Sequence, residues 1–343
     1  EGGAFVWFGS ASGLGDDGTP ANADWSAEGG QAGAEFGCSV ATAGDINGDG
    51  FDDVIVGAFW CDNGENEEGM VFVFHGSASG LSASADWSAE SNQDGAMFGS
   101  SVASAGDVNG DAYGDIIAGG NPGVYAWHGS ASGLGANGTP ANADWFAGIG
   151  FSSWGIPMTL ASAGDVNGDG YGDVIVGEPM YSEPAYLAGR ACVYLGSPAG
   201  LSASFAWSVE GDEEYKNFGH CVSTAGDING DGCSDVIVGV PLQDTIYGYN
   251  EGRAFVYHGS PWGLSSQAAS ARERDFLQFL QYDAESAWSV STAGDVNGDG
   301  YDDFIVGAPY YDYGECEEGL VFLYYGARTP LQAAGVQQWS VYK

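Results

Sequence analysis

Short runs of four to eight apolar, β-branched or aromatic residues, each bounded by Gly, Asp or Ser, recur along the chain. Runs of that length and composition predict β-strands rather than helices. They fall into four kinds in a fixed order. Run A reads CSVATAG, SVASAG, TLASAG, CVSTAG and SVSTAG, and run B reads DVIVGA, DIIAGG, DVIVGE, DVIVGV and DFIVGA. Run C is GMVFVFHGSASGLS at 69–82, with counterparts at 123–135, 189–202, 252–265 and 319–326. Run D carries a tryptophan: ADWSAE at 85–90, ADWFAG at 143–148, FAWSVE at 205–210 and QQWSVY at 337–342. Only 270–285 reads as potentially helical, in the place of a D run.

Four short antiparallel strands per unit, with no helical crossover, predict an all-β protein, a β-propeller of four-stranded blades. A β-solenoid competes, but it repeats roughly every 20–30 residues. Residues 3–15 and 23–28 supply a further C and D run without an A or B run. The expected architecture is therefore six-blade-like, with five complete blades and an N-terminal half blade; seven blades in a longer precursor is the alternative. The whole of 1–343 reads as one propeller, with a partial blade at 1–30 and repeats at 36–90, 98–148, 154–210, 218–285 and 286–343. A half blade leaves open strand edges, which proteins normally pair or cover. Self-assembly, with a neighbouring chain adding strands there, is an expected partner mode. The chain opens at Glu1 in what reads as the middle of a repeat, with no leader visible, which implies an earlier segment.

Between each A and B run lies the pattern Asp-x-Asn-x-Asp-x-x-x-Asp, which occurs five times at spacings of 62, 58, 62 and 68 residues. Oxygen side chains at positions 1, 3, 5 and 9 around a glycine-rich turn suit a hard cation, and calcium prefers such cages of oxygen ligands. Magnesium fits less well because it demands tighter octahedral geometry. An EF-hand is excluded, since position 12 is Val56, Ala118, Val176, Val238 or Val306 rather than a bidentate Glu. Asp-Asn-Gly segments also make good turns without metal, but five recurrences of the same ligand types outweigh that reading.

The string FGCSVATAGDINGDGFDDVIVGA at 36–58 resembles the FG-GAP repeat of integrin α-subunit propellers and their bacterial relatives. The FG pairs are Phe36-Gly37, Phe98-Gly99 and Phe218-Gly219. The GAP position reads Gly57-Ala58-Phe59, Gly177-Glu178-Pro179 and Gly307-Ala308-Pro309. FG, loop, GAP and tryptophan strand recur in order over nearly the whole chain. Integrin-type propellers have seven blades, with the calcium loop joining the first two strands of each. The resemblance implies about five Ca²⁺ ions in a structural role. In the first loop Asp45, Asn47, Asp49 and Asp53 would give side-chain oxygens and Phe51 a carbonyl. The second set is Asp107, Asn109, Asp111, Asp115 and the Tyr113 carbonyl; the third is Asp165, Asn167, Asp169, Asp173 and the Tyr171 carbonyl. The fourth is Asp227, Asn229, Asp231, Asp235 and the Cys233 carbonyl; the fifth is Asp295, Asn297, Asp299, Asp303 and the Tyr301 carbonyl. The second loop has Ala112 where the others have glycine, so it should be strained or bind most weakly. The expected function is a secreted or cell-surface, non-catalytic adhesion or assembly module with a protein or glycan partner at the cell surface or matrix. A carbohydrate-binding propeller, or the non-catalytic part of an extracellular enzyme, is the alternative.

Composition narrows the partners. The 343 residues are 44% hydrophobic with 59 glycines, ample for a core with frequent tight turns. The formal charge is −40, from 47 acids against 7 bases, and five calcium ions would bring it to about −30. Such a surface excludes nucleic acid and charge-driven binding to anionic lipid, and no apolar run is long enough for membrane insertion. No nucleophile motif, P-loop or dinucleotide fingerprint is present. The cysteines lack CxxC spacing, which argues against zinc; Cys38 and Cys61 could face each other across the first A–B hairpin as a disulfide. His75, His128 and His258 share one position in run C of different repeats, so they read as repeat-derived. Trp25, Trp87, Trp145, Trp207 and Trp339 read as inter-blade packing. Trp60, Trp154, Trp262 and Trp288 break the pattern and, with the loops at 180–187 and 242–251, are candidates for a ligand face, with core packing the competing role.

Overall fold

The computed structural model describes residues 1–11, 18–149, 158–183, 185–244, 249–266, 281–312 and 318–327 in full, and 337–339 in backbone. The chain packs as two compact units, residues 1–107 with 111–151, and residues 108–110 with 152–343. Helix among the described residues is confined to one 3-10 turn at Pro20–Asn22; none is long and apolar enough to cross a membrane. Of the expected helical stretch 270–285, residues 270–280 lie outside the described residues, and 281–285 form a turn and loop.

The first unit holds three antiparallel sheets. Strands β1 (Gly3–Val6) and β2 (Trp25–Glu28) pair with each other and form a two-stranded sheet. Strands β3 (Ser39–Gly44), β4 (Asp53–Ala58), β5 (Met70–Phe74) and β6 (Trp87–Glu90) form a four-stranded sheet in chain order. In the third sheet β7 (Ser101–Gly106), β8 (Asp115–Gly120), β9 (Gly123–Trp127) and β11 (Trp145–Gly148) are neighbours, and β10 (Ala131–Leu134) lies in the connection. The second unit repeats the plan. Its sheets are β12 (Thr159–Gly164), β13 (Asp173–Glu178), β14 (Arg190–Tyr194) and β15 (Trp207–Glu210); β16 (Cys221–Gly226), β17 (Asp235–Val240) and β18 (Arg253–Tyr257); and β19 (Ser289–Gly294), β20 (Asp303–Ala308), β21 (Leu320–Tyr324) and β22 (Gln337–Trp339). These sheets are blades of a β-propeller, and runs A to D are their four strands. The segment expected in the place of a D run beside β18, 270–285, lies outside the described residues up to 280.

The B strands are buried along their whole length in β8, β13 and β17. Each lies inside its own sheet and is covered on both faces, which explains why the B runs read as unbroken apolar strings rather than alternating ones. Between the sheets of β3–β6 and β7–β11 the core contains Ile55, Val71, Val73, Phe98, Ile116 and Trp127. Equivalent cores separate successive sheets of the second unit. Three of the D-strand tryptophans hold neighbours together as expected, and the Trp339 side chain lies outside the described residues. The Trp25 indole N–H donates to the Ser82 carbonyl at 2.8 Å, Trp87 to Ala136 at 2.9 Å and Trp207 to Ser265 at 2.9 Å. Each bond runs to the loop after strand C of the next blade.

The FG and GAP segments meet across a blade boundary. A Cβ added to Gly57 would collide with the Gly99 carbonyl oxygen, and one on Gly177 with that of Gly219. Phe98 beside Gly99 is 2% exposed and packs edge-on against Tyr125 and Trp127. The glycines let two backbones touch while the phenylalanine fills the adjoining core. The disulfide expectation fails: Cys38 and Cys61 are both free. The β3–β4 register pairs Ser39 with Gly57, so Cys38 lies across from Ala58 and Cys61 sits beyond the strand. The Cys38 Sγ points to the Gly99 carbonyl at 3.6 Å, and Cys61 Sγ to that of Asp62 at 4.0 Å.

This contact makes a testable prediction. Gly57→Ala should lose stability near the upper end of the roughly 1–3 kcal/mol that overpacking costs. Gly9→Ala, where a Cβ meets nothing within 4 Å, should be close to neutral in the same urea titration.

Candidate metal sites

Each A–B loop is built on one backbone plan. In the first, Asp45 Oδ1 accepts from the N–H groups of Gly48 at 2.7 Å and Asp49 at 3.1 Å, and Oδ2 from Gly50 at 2.8 Å. The Asn47 Oδ1 accepts from Asp49 N–H at 2.9 Å, and Asp49 Oδ1 from Phe51 N–H at 3.0 Å. The set around Asp165 repeats this plan at 2.7, 3.1 and 2.8 Å, and the sets around Asp227 and Asp295 follow it. In the second loop Asp107 accepts from Asp111 at 3.1 Å and Ala112 at 2.8 Å. The loop thus curls around its first carboxylate, and positions 4 and 6 take positive φ to do so: +72° at Gly48 and +89° at Gly50. Ala112 adopts the same conformation at φ +71°, so the second loop carries the strain expected from its sequence.

Position 9 has a role that the spacing did not reveal. Asp53, Asp115, Asp173, Asp235 and Asp303 are all fully buried. One oxygen of Asp53 accepts from Ile46 N–H at 3.0 Å and the other from Gly76 N–H at 2.7 Å. Asp173 does the same with Val166 and Gly196, both at 2.8 Å. Asp235 holds Ile228 and Gly259, and Asp303 holds Val296 and Gly326. Each of these four carboxylates therefore clamps the A–B loop to the end of strand C in its own sheet. Burial pushes the carboxyls of Asp53, Asp173, Asp235 and Asp303 up, against the pull of the two N–H bonds; Asp173 reaches about 7, raised further by Asp165 and Asp169. The same causes raise Asp303, with Asp299 and Asp295 adding to the effect. In the fourth loop His258 Nδ1 lies 3.1 Å from Asp235 Oδ2, and this partner draws the imidazole pKa up despite burial.

The fit to a cation can be judged from these atoms. Among the described residues no three His, Cys, Asp or Glu side chains converge as a metal cage. The donor set is nonetheless that of a hard cation: carboxylates, an amide and backbone carbonyls, with no soft ligand. The carboxylates at positions 1 and 5 crowd closely enough on position 9 to raise its proton affinity in the third and fifth loops. Asn229 Oδ1 is buried without a hydrogen-bond donor, a cost that an added positive charge would relieve. The asparagines of the third and fifth loops donate to Asp169 Oδ2 at 2.9 Å and Asp299 Oδ2 at 3.0 Å. By donor type these residues fit calcium as loop ligands at positions 1, 3 and 5; position 9 is set apart by its complete burial.

Away from the loops, Trp60, Trp262 and Trp288 are exposed, Trp262 almost wholly at 97%; Trp154 lies outside the described residues. Beside Trp262 is a cleft of about 340 Å³ lined by Val193, Leu195, Trp207, Leu264 and the loop residue Asn167. Exposed edge-to-face pairs Tyr186–Tyr215 and Tyr249–Tyr282 stand at the loops 180–187 and 242–251, of which 184 and 245–248 are outside the described residues. His75, His128 and His258 stand on β-blade positions of different sheets and share no site.

Comparison with known proteins places these features. The FG-GAP repeat model matches residues 36–74, 159–194, 219–257 and 286–324. The chain is 34% identical over 154 residues to integrin alpha-PS2 of Drosophila melanogaster, covering 42% of this chain and 11% of that one. It is 30% identical over 154 residues to integrin alpha-5 of Xenopus laevis, covering 43% and 14%. Phosphatidylinositol-glycan-specific phospholipase D of Bos taurus is 30% identical over 195 residues, covering 54% of this chain and 22% of the enzyme. The matched region therefore spans only a small part of each relative.

Two substitutions test the loops without any metal. Asp173→Ala strands the N–H groups of Val166 and Gly196 and should cost about 2–4 kcal/mol in chelator, read by denaturant unfolding. Ala112→Gly should stabilise by about 1 kcal/mol through relief of positive φ; a loss of stability there would contradict the strain.

Proposed function

Because four FG-GAP repeats match this β-propeller chain and it is similar to integrin α chains over 154 residues, we propose that it is an extracellular or cell-surface calcium-binding module. It acts without catalysis, in adhesion or assembly, on a protein or glycan partner. The observation that carries the calcium reading is the recurrence of one loop plan at Asp45, Asp165, Asp227 and Asp295, each gathering acidic and amide oxygens around a turn closed by a buried carboxylate. A bound Ca²⁺ ion supplies positive charge where these side chains repel. The residues of the chain do the rest. The position-1 carboxylate orders the turn, the position-9 carboxylate ties it to strand C, and the glycines allow the curl.

The surface supports a binding role. A chain of net charge −40 stays soluble and repels anionic partners. The acid whose pKa is shifted furthest, Asp173, is a structural clamp, and the Cys192 thiol, which donates to Glu178 at 3.5 Å, is pushed up to about 12 by burial and stays protonated. The similarity to a phospholipase D of Bos taurus is compatible with a non-catalytic propeller in a larger enzyme. Trp262 favours a second reading, glycan binding, because its free indole beside the 340 Å³ cleft offers a stacking face for a sugar ring.

Calcium removal separates these possibilities from a metal-free fold. Each site held at about 100 times its Kd adds ~2.7 kcal/mol to the folded state, so the thermal midpoint should rise by several degrees from chelator to millimolar calcium. Isothermal titration should give several sites per chain, with Asp165→Asn removing one. An unchanged midpoint and no heat of binding would reject the calcium role. Tryptophan quenching by an oligosaccharide panel, lost in Trp262→Ala, would favour the glycan reading.

A further inference from the structure

The A–B loops at 45–53, 165–173 and 227–235 are each gripped by the blade that follows. In the first unit the Asp45 carbonyl accepts from Gly114 N–H at 2.8 Å, and a Cβ on Gly48 would meet the Tyr113 ring at 2.6 Å. In the second unit the Asp165 carbonyl accepts from Ser234 N–H at 2.8 Å, and the Asp227 carbonyl from Asp302 N–H at 3.2 Å. At this last boundary a side chain joins the grip. Asp302 Oδ2 accepts from Asp227 N–H at 2.8 Å, and the Tyr301 ring covers Gly230. Asp302 thus holds both backbone groups of Asp227, the first residue of the loop 227–235. Asp302 occupies position 8 of its own loop, between the candidate ligands Tyr301 and Asp303, and the repeat pattern assigns it no ligand role.

We propose that Asp302 is a positioning residue for the loop of the preceding blade, coupling cation binding at 295–303 to cation binding at 227–235. The proposal rests on the calcium reading above. Closing the loop 295–303 around an ion fixes the backbone of Tyr301 and Asp303, and with it the Asp302 clasp. The clasp in turn presents Asp227, whose carboxylate gathers the N–H groups of Gly230, Asp231 and Gly232. Order in one loop therefore lowers the cost of ordering the other, and the coupling works equally in both directions. Asp52 is the natural control. It is an exposed aspartate at the same position of the first loop, and no described A–B loop lies upstream of it.

The test uses the whole 343-residue chain, calcium itself and two readouts. In calcium titrations Asp302→Ala should weaken one site about ten-fold, within the range usual for linked sites, with the number of sites unchanged. Asp302→Asn keeps an acceptor oxygen and should bind as the wild type does; Asp52→Ala should also leave affinity unchanged. In chelator, amide exchange at Asp227 should be about ten-fold faster in Asp302→Ala and unchanged in Asp52→Ala. Equal effects of Asp302→Ala and Asp52→Ala on affinity would overturn the coupling. Unchanged exchange at Asp227 would overturn the clasp itself. A wild-type chain that binds no calcium would overturn the calcium reading and the coupling together, while the exchange comparison still decides whether the clasp exists.

Discussion

The loops depend on a carboxylate buried at the start of each B strand. Asp53, Asp115, Asp173, Asp235 and Asp303 sit where water cannot reach them. A charge there is tolerated only because directed N–H groups replace its hydration. In the four loops where both bonds are described, the carboxylate fixes the turn between the first two strands and anchors the end of the third. Three strands are thereby tied at one end by one side chain, through one bond within the loop and one to a residue 23 or 24 positions later. Hydrophobic burial drives the sheets together, but it is non-directional. The clamp supplies the direction, setting where strand A ends and where the chain leaves strand C.

Much of this architecture could be read from the chain. The order of the four runs predicted the order of strands in each described four-stranded sheet, because short β-branched runs bounded by glycine have few other ways to fold. Trp25, Trp87 and Trp207 proved to be inter-blade ties, as their repetition suggested. Ala112 was legible for a simple reason: a side chain at a turn position that elsewhere holds glycine announces strain. Less visible were contacts that join residues far apart in sequence. Asp302 touching Asp227 across 75 residues has no signature in a single repeat. Nor has Glu178, which stands where two other repeats have alanine and forms a two-pronged pair with Arg190 at 2.9 and 3.0 Å. The Cys38–Cys61 expectation went astray because the hairpin pairs Gly44 with Asp53 and its register shifts between Thr42 and Gly44, which counting along the sequence does not reveal.

The candidate sites were legible in chemistry but not in geometry. The alternation of acids, asparagine and glycine named the loops and their oxygens. It did not reveal that the ninth residue faces inward and spends both oxygens on backbone donors. Spacing treats all four side chains of the pattern as equivalent, whereas burial separates them: Asp49 lies at the exposed rim, and Asp53, only four residues later, is enclosed. The difference arises because position 9 is also the first residue of a central strand, and central strands have no solvent face.

The meeting of Gly57 with Gly99, and of Gly177 with Gly219, has a consequence for how such a chain can lengthen or shorten over time. At these two boundaries one repeat carries a socket near the end of its second strand and the next a plug before its first, so a copied repeat of this kind arrives with both mating surfaces. A gene duplication that copies one whole repeat can be inserted between two existing ones without any new interface being invented. A break inside a repeat separates plug from socket and leaves two surfaces with nothing to fit. Growth by whole modules is thus written into a contact between two residues that have no side chains at all.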